Sequence, residues 1–319
     1  MIRSISIFAI MLIAVGAVLF LSSSTESDLT TIGADNFLAA KAKKSNSEST
    51  TPEKSDKLPQ VVKAVKMPDN PNLGGEAVPN NFDARERLDR ELMVNSYRHS
   101  ATLQYLKLAN RYFPIIEPIL AEQGVPDDFK YLAVAESGLR NASSPAGAKG
   151  VWQFLASTGR ERGLIVNSEV DQRYHVEKAT RAACKYLKDS KRDYGTWMNA
   201  AACYNMGRTN MHKLMNSQKE TQYYDIEMNE ETARYVSRIV ALKAIMQNPE
   251  EYGFYLEPHE LYPPFNYRIV EVNGAVQNWG DFAHKHGTTY RILKTYNPWL
   301  RSSQLTNSAK RTYQVKLPN

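Results

Sequence analysis

The chain has 319 residues, enough for two domains and a tail, with 42% hydrophobic and 23% charged residues, as in ordinary globular proteins. A formal charge of +6 would suit nucleic acid, anionic lipid or an anionic polymer. Nucleic acid is excluded by the N-terminus, where an uncharged run from Ile5 to Leu21 follows Arg3 and precedes Ser22, Ser23 and Ser24, as in an export signal.

Residues 1–24 are therefore expected to be a signal peptide or a membrane anchor, since 17 apolar residues lie at the lower limit for crossing a bilayer. Arg3 before the run, and Glu26 and Asp28 after it, put the remainder outside the cytoplasm, in the periplasm or cell envelope. Residues 25–80 read as a disordered basic linker, with seven lysines against three acids between residues 40 and 66. Phe82 to Tyr112 has helical spacing and predicts one long amphipathic helix, broken at Pro114 and followed by a short helix to Leu120. Helices continue from Val151 to Gln247, residues 251–266 read as a second linker, and residues 267–319 show a β-α-α-β pattern. The expected fold is mainly α, with one helical domain over 81–250 and a small C-terminal unit. Cys184 and Cys203 lie in alanine-rich helical segments, which favours buried free thiols over a disulfide. His284 and His286 stand two apart and point away from each other on a helix, so no metal or other cofactor is expected.

The chemistry centres on "FKYLAVAESGLR". Phe129, Leu132, Ala133 and Glu136 share one helix face, and Gly138 supplies the stop. A carboxyl on an apolar face in the last turn, at the negative end of the helix dipole, is pushed towards its protonated form, as a general acid requires. The alternative is a partly exposed glutamate paired with Arg140. Downstream, "SSPAGAKGVWQF" combines a glycine loop with Trp152, Gln153 and Phe154, which suits a sugar site or a turn followed by core aromatics. In "WMNAAACYNMG", Trp197, Ala200, Ala201 and Tyr204 form one helix face, and Tyr204 by itself reads as core.

The ordered blocks "ESGL", "SPAGAKGVWQF", "CYNMG" and "ETARYV" resemble the lytic transglycosylases that share the goose-type lysozyme fold, glycoside hydrolase family 23. The resemblance implies a lysozyme-like helical catalytic domain in which Glu136 is the acid/base and Ser137 its motif partner. It further implies that Ser144 contacts an N-acetyl group, Gln153 is a cleft amide, Tyr204 lies near the glutamate, Asn205 belongs to the same motif, and Glu231 is the acid of the last motif. The implied reaction cleaves the β-1,4 bond between N-acetylmuramic acid and N-acetylglucosamine in peptidoglycan, with the muramic C6 hydroxyl closing a 1,6-anhydro ring. Two alternatives stand beside it: a muramidase that hydrolyses the same bond, and an inactive peptidoglycan-binding scaffold. Implied partners are peptidoglycan strands, cell-wall machinery and, if the segment stays uncleaved, the inner membrane. Three departures stand out: the Glu136–Ser144 spacing is one residue short, Cys203 replaces alanine, and Val151-Trp152 replaces Leu-Met. "FAHKHGTTYRILKTYNPWLR" resembles a lysin-motif (LysM) module, which implies binding to N-acetylglucosamine-containing glycans, although "NGAVQNWGDF" replaces the usual Gly-Asp-Thr-Leu start.

Overall fold

The computed structural model describes residues 63–319; the Ile5–Leu21 run and the tract up to residue 62 lie outside the described residues. Among the described residues no helix is long and apolar enough to cross a membrane.

The chain first makes a short antiparallel hairpin of β1 (Asn72–Leu73) and β2 (Glu76–Ala77). The linker expected over 25–80 is thus corrected at its end, where Leu73 is fully buried in the main core. Asp128 holds the turn by accepting from the Gly74 N–H at 2.8 Å and from Lys243 Nζ at 2.7 Å.

Helix α1 (Phe82–Tyr97) starts on Asn81, whose side chain accepts the Ala84 N–H, and buries Ala84, Leu88, Glu91, Leu92 and Asn95, one helical stripe. The long helix expected to Tyr112 is corrected: it breaks at Arg98, and α2 (His99–Glu122) then runs through both Pro114 and Pro118. Tertiary packing overrides the proline signal. Ala109, Ile116, Ile119 and Leu120 are buried on both sides of the prolines and hold the helix path although two N–H donors are missing.

After a 3-10 turn at Asp127–Phe129 come α3 (Lys130–Ser137), α4 (Ala156–Glu161), α5 (Val176–Tyr194), α6 (Trp197–Met206) and α7 (Arg208–Gln218). Two N-terminal N–H groups of α6, on Trp197 and Met198, donate to the Glu76 carboxylate at 2.8 and 3.0 Å, so the hairpin caps that helix. Helix α8 (Glu230–Gln247) is buried almost all round and packs against α1, α3 and α6. It is the central element on which the site is built. Cys184 and Cys203 are both buried free thiols.

The C-terminal unit follows the predicted order: β3 (Tyr267–Val272), α9 (Trp279–Lys285), α10 (Tyr290–Tyr296) and β4 (Tyr313–Pro318). The strands pair antiparallel from Tyr267 opposite Pro318 to Val272 opposite Tyr313, over a core of Trp279, Ala283, Leu293, Val315 and Leu317. Residues 251–266 are fastened along α2: the Tyr262 N–H donates to the Lys107 carbonyl, and Arg111 Nε donates to the Pro263 carbonyl at 3.0 Å.

Candidate active site

The helix that delivers Glu136 ends as its sequence demands. Gly138 caps α3 with φ 60° and ψ 34°, and a Cβ there would stand 2.4 Å from Tyr105 Cε1, so glycine is required for both backbone and space. Phe129, Leu132 and Ala133 are fully buried on the stripe that Glu136 continues, while Glu136 itself keeps partial exposure. Arg140, the alternative partner, instead directs its Nε at the Ser137 carbonyl.

The partner of Glu136 comes from α8: the Tyr235 hydroxyl donates to Glu136 Oε1. Among the described residues no donor reaches Oε2, so one carboxyl oxygen is oriented and the other is open. Burial pushes the Glu136 carboxyl from 4.5 up to about 7, against the pull of the Tyr235 hydroxyl and the Arg238 charge. Near neutral pH the group is divided between its acid and base forms, as a residue that must both give and take a proton requires. Tyr204 lies close by: burial first, and then the Glu136 charge, raise its hydroxyl well above the usual range.

The loop over 142–154 is attached to this centre at two points. Ser137 donates to the Val151 carbonyl at 2.8 Å, and Tyr204 donates to the Trp152 carbonyl at 2.7 Å. The Tyr204 ring meets Trp152, Phe154 and Tyr186, with Tyr186 edge-on at 5.3 Å. Gln153 has φ 48°, a left-handed backbone that costs a non-glycine residue about 1 kcal/mol. Its amide offsets this by donating to the Gly150 carbonyl at 2.7 Å and the Ala142 carbonyl at 3.2 Å. Ser144 Oγ accepts the Ala148 N–H at 3.1 Å, closing the turn of the same loop.

The remaining sequence candidates lie on α6 and α8. Asn205 Oδ1 accepts from Thr232 Oγ1 at 2.9 Å. Glu231 is on the surface, 61% exposed, and pairs with Arg238 at 2.9 Å. Arg238 also reaches Glu91, a fully buried carboxylate that is held by Arg234 at 2.6 Å. The structure thus brings Glu136 and Tyr204 together, joins them through backbone carbonyls to the Ser144–Gln153 loop, and gives Glu231 no hydrogen bond to Glu136. Tyr235 escaped sequence reasoning although it lies inside the quoted "ETARYV" block. The available signal was a tyrosine beside Val236 and Ile239 on the apolar face of its helix, whose hydroxyl must find a partner once buried. Among the described residues no group of three or more His, Cys, Asp or Glu side chains is arranged to hold a metal ion.

Comparison with known proteins gives two family matches and two relatives. Residues 113–226 match the family described as the transglycosylase SLT domain, and residues 268–319 match the soluble lytic transglycosylase C-terminal LysM-like domain. Helix α8, with Tyr235, lies beyond the first match. Membrane-bound lytic murein transglycosylase D of Escherichia coli strain K12 is 28% identical over 244 residues, covering 75% of this chain and 52% of that protein; its counterpart in Escherichia coli O6:H1 gives the same figures. The chain spans about half the length of these curated relatives. The chain is thus homologous to the lytic murein transglycosylases D, with a transglycosylase SLT domain over 113–226 and a LysM-like domain over 268–319.

Proposed function

We propose that the chain is a peptidoglycan lytic transglycosylase, which cleaves the β-1,4 bond between N-acetylmuramic acid and N-acetylglucosamine and leaves a 1,6-anhydro end. The observation that carries this reading is Glu136, a carboxyl raised to about 7, fixed at Oε1 by Tyr235 and open at Oε2. In its acid form Oε2 gives its proton to the glycosidic oxygen as the bond to C1 breaks and the leaving sugar takes the electron pair. Positive charge develops at C1 and is shared with the substrate's own N-acetyl oxygen. The Glu136 carboxylate then removes the proton of the muramic C6 hydroxyl, whose oxygen bonds to C1. Each proton lost by Glu136 is regained within one turnover.

A two-carboxylate glycosidase needs a second free acid across the bond. Glu231, the acid whose charge acts on Glu136, is paired with Arg238, and Arg238 also holds the buried Glu91, which supports single-acid chemistry. Ser137 acts through the loop it pins, while Ser144, Gln153, Tyr204 and Asn205 are assigned to substrate contact, and the 267–319 unit to binding glycan. The relatives' printed name includes "membrane-bound"; together with the Ile5–Leu21 run, it supports a place in the cell envelope.

The test is digestion of purified peptidoglycan sacculi. Wild-type protein should release soluble fragments whose masses fit anhydro ends, and folded Glu136→Gln should lose roughly 10²-fold or more in rate. Intact sacculi after treatment with folded wild-type protein would contradict the reading.

A further inference from the structure

The C-terminal unit does not hang from the helical domain. The segment over 169–177, which leads from α4 into the first turn of α5, is built into it. Val170 and Tyr174 belong to the same buried cluster as Trp279, Leu293 and Val315. The Asp171 N–H donates to the Trp299 carbonyl at 2.9 Å and the Arg301 N–H to the Glu169 carbonyl at 2.8 Å, an isolated antiparallel bridge between Val170 and Leu300. Glu169 Oε2 accepts from both the N–H and the hydroxyl of Thr306 at 3.0 Å. The Trp299 ring stacks on His175 at 5.7 Å and on Tyr313 at 5.6 Å, and Lys316 pairs with Glu177.

The same segment grips the loop beside Glu136. Arg173 and Asp171 form an ion pair with both side chains 5% exposed, through Nε to Oδ1 at 2.9 Å and Nη2 to Oδ2 at 2.7 Å. The remaining arm of the guanidinium, Nη1, donates to the carbonyls of Gly147 and Phe154, each at 3.1 Å. From the other side the Arg173 carbonyl presses on Gly150, where a Cβ would come within 1.8 Å of its oxygen. A planar fork with all three nitrogens engaged in a dry setting fixes position more sharply than a flexible cation would.

We propose that the LysM-like unit is a positioning element of the transglycosylase site: seating Trp299 on the 169–177 segment fixes the Asp171–Arg173 pair, which fixes the 142–154 loop with Ser144 and Gln153. Asp171 and Arg173 are positioning residues, since they act on substrate through the loop. The kinetic consequence rests on the functional reading above; the mechanical coupling does not. Turnover of soluble glycan then depends on the C-terminal unit, whereas a unit that only tethers would matter for insoluble wall alone.

The experiment uses full-length Trp299→Leu, which removes both ring stacks, Trp299→Phe, which keeps them, and Asp171→Asn, which releases Arg173 from within the helical domain. Each is compared with wild type well below its own melting midpoint. Trp299→Leu and Asp171→Asn should raise backbone hydrogen exchange at Lys149, Gly150 and Gln153 roughly tenfold, leaving α6 and α8 amides unchanged. On a soluble, uncross-linked glycan oligomer the same variants should lose roughly tenfold in kcat with a smaller change in KM, and Trp299→Phe should restore both readouts. Should Trp299→Leu fail to fold, Glu169→Ala loosens the same seam from the surface and gives the same pattern at smaller size. Loop exchange at the wild-type level in folded Asp171→Asn and interface variants overturns the coupling. Loss of loop protection with wild-type kcat overturns the positioning role. A wild-type protein inert towards glycan removes the functional reading, while the exchange arm still decides the coupling.

Discussion

Replacing Glu136 by glutamine should make the protein more stable than wild type at alkaline pH while costing it most of the proposed activity. The carboxyl is raised from 4.5 to about 7 by burial, so the folded state binds its proton more tightly than the unfolded chain does. The stability this contributes is fully present below about 4.5 and lost as pH rises through about 7. Between pH 5 and pH 8 the linkage relation gives a loss of about 2.5 kcal/mol at most, from a shift worth about 1.4 kcal/mol per unit. Partial exposure of Glu136 lets water soften this to about 1–2 kcal/mol. Glutamine keeps the shape and the acceptor for Tyr235 but cannot ionise. Thermal melts of both proteins at pH 5 and pH 8 should therefore show the variant gaining roughly 2–8 °C over wild type on going to pH 8, with little difference between them at pH 5. Equal melting differences at the two pH values would refute the buried, proton-holding glutamate.

Tyr235→Phe removes a donor that pulls the Glu136 pKa down, so the alkaline limb of the pH–rate profile should move up by about one unit and turnover should fall roughly tenfold; an unmoved limb contradicts the hydrogen bond. Gly138→Ala must adopt φ 60° and place a methyl 2.4 Å from Tyr105 Cε1, and denaturant unfolding should show a loss of about 2 kcal/mol or more. Glu91→Gln leaves Arg234 and Arg238 facing a neutral buried amide, at a cost of about 3 kcal/mol in the same assay. Because Arg238 also pulls the Glu136 pKa down, freeing it from Glu91 should shift the alkaline limb slightly lower, the opposite sign to Tyr235→Phe.

What was readable in the sequence was local. The apolar stripe Phe129, Leu132, Ala133 leads to Glu136 and Gly138 within ten residues, so period and stop signal placed the acid on its helix face without any tertiary knowledge. The β-α-α-β order was equally plain, because "YRIVEV" and "TYQVKLP" alternate while the segments between them follow helical spacing. What escaped depends on contacts across long stretches of chain. The helix break sits at Arg98 rather than Pro114 because buried side chains carry α2 past its prolines. Residues 72–77 were hidden by their polar, glycine-rich composition, yet Leu73 fills the core and Glu76 caps α6, more than a hundred residues on. Tyr235 reaches Glu136 across 99 positions, and Trp299 reaches Asp171 through a backbone hydrogen bond that no side-chain pattern encodes.

In the proposed reaction the C6 hydroxyl, rather than water, attacks C1. Digestion of sacculi in heavy-oxygen water, with mass spectrometry of the released fragments, tests this directly. The predicted result is fragments one water lighter than reducing-end products and free of label at the muramic end. Heavy oxygen at C1 in most products would contradict the claim and make Glu136 the acid of a hydrolase.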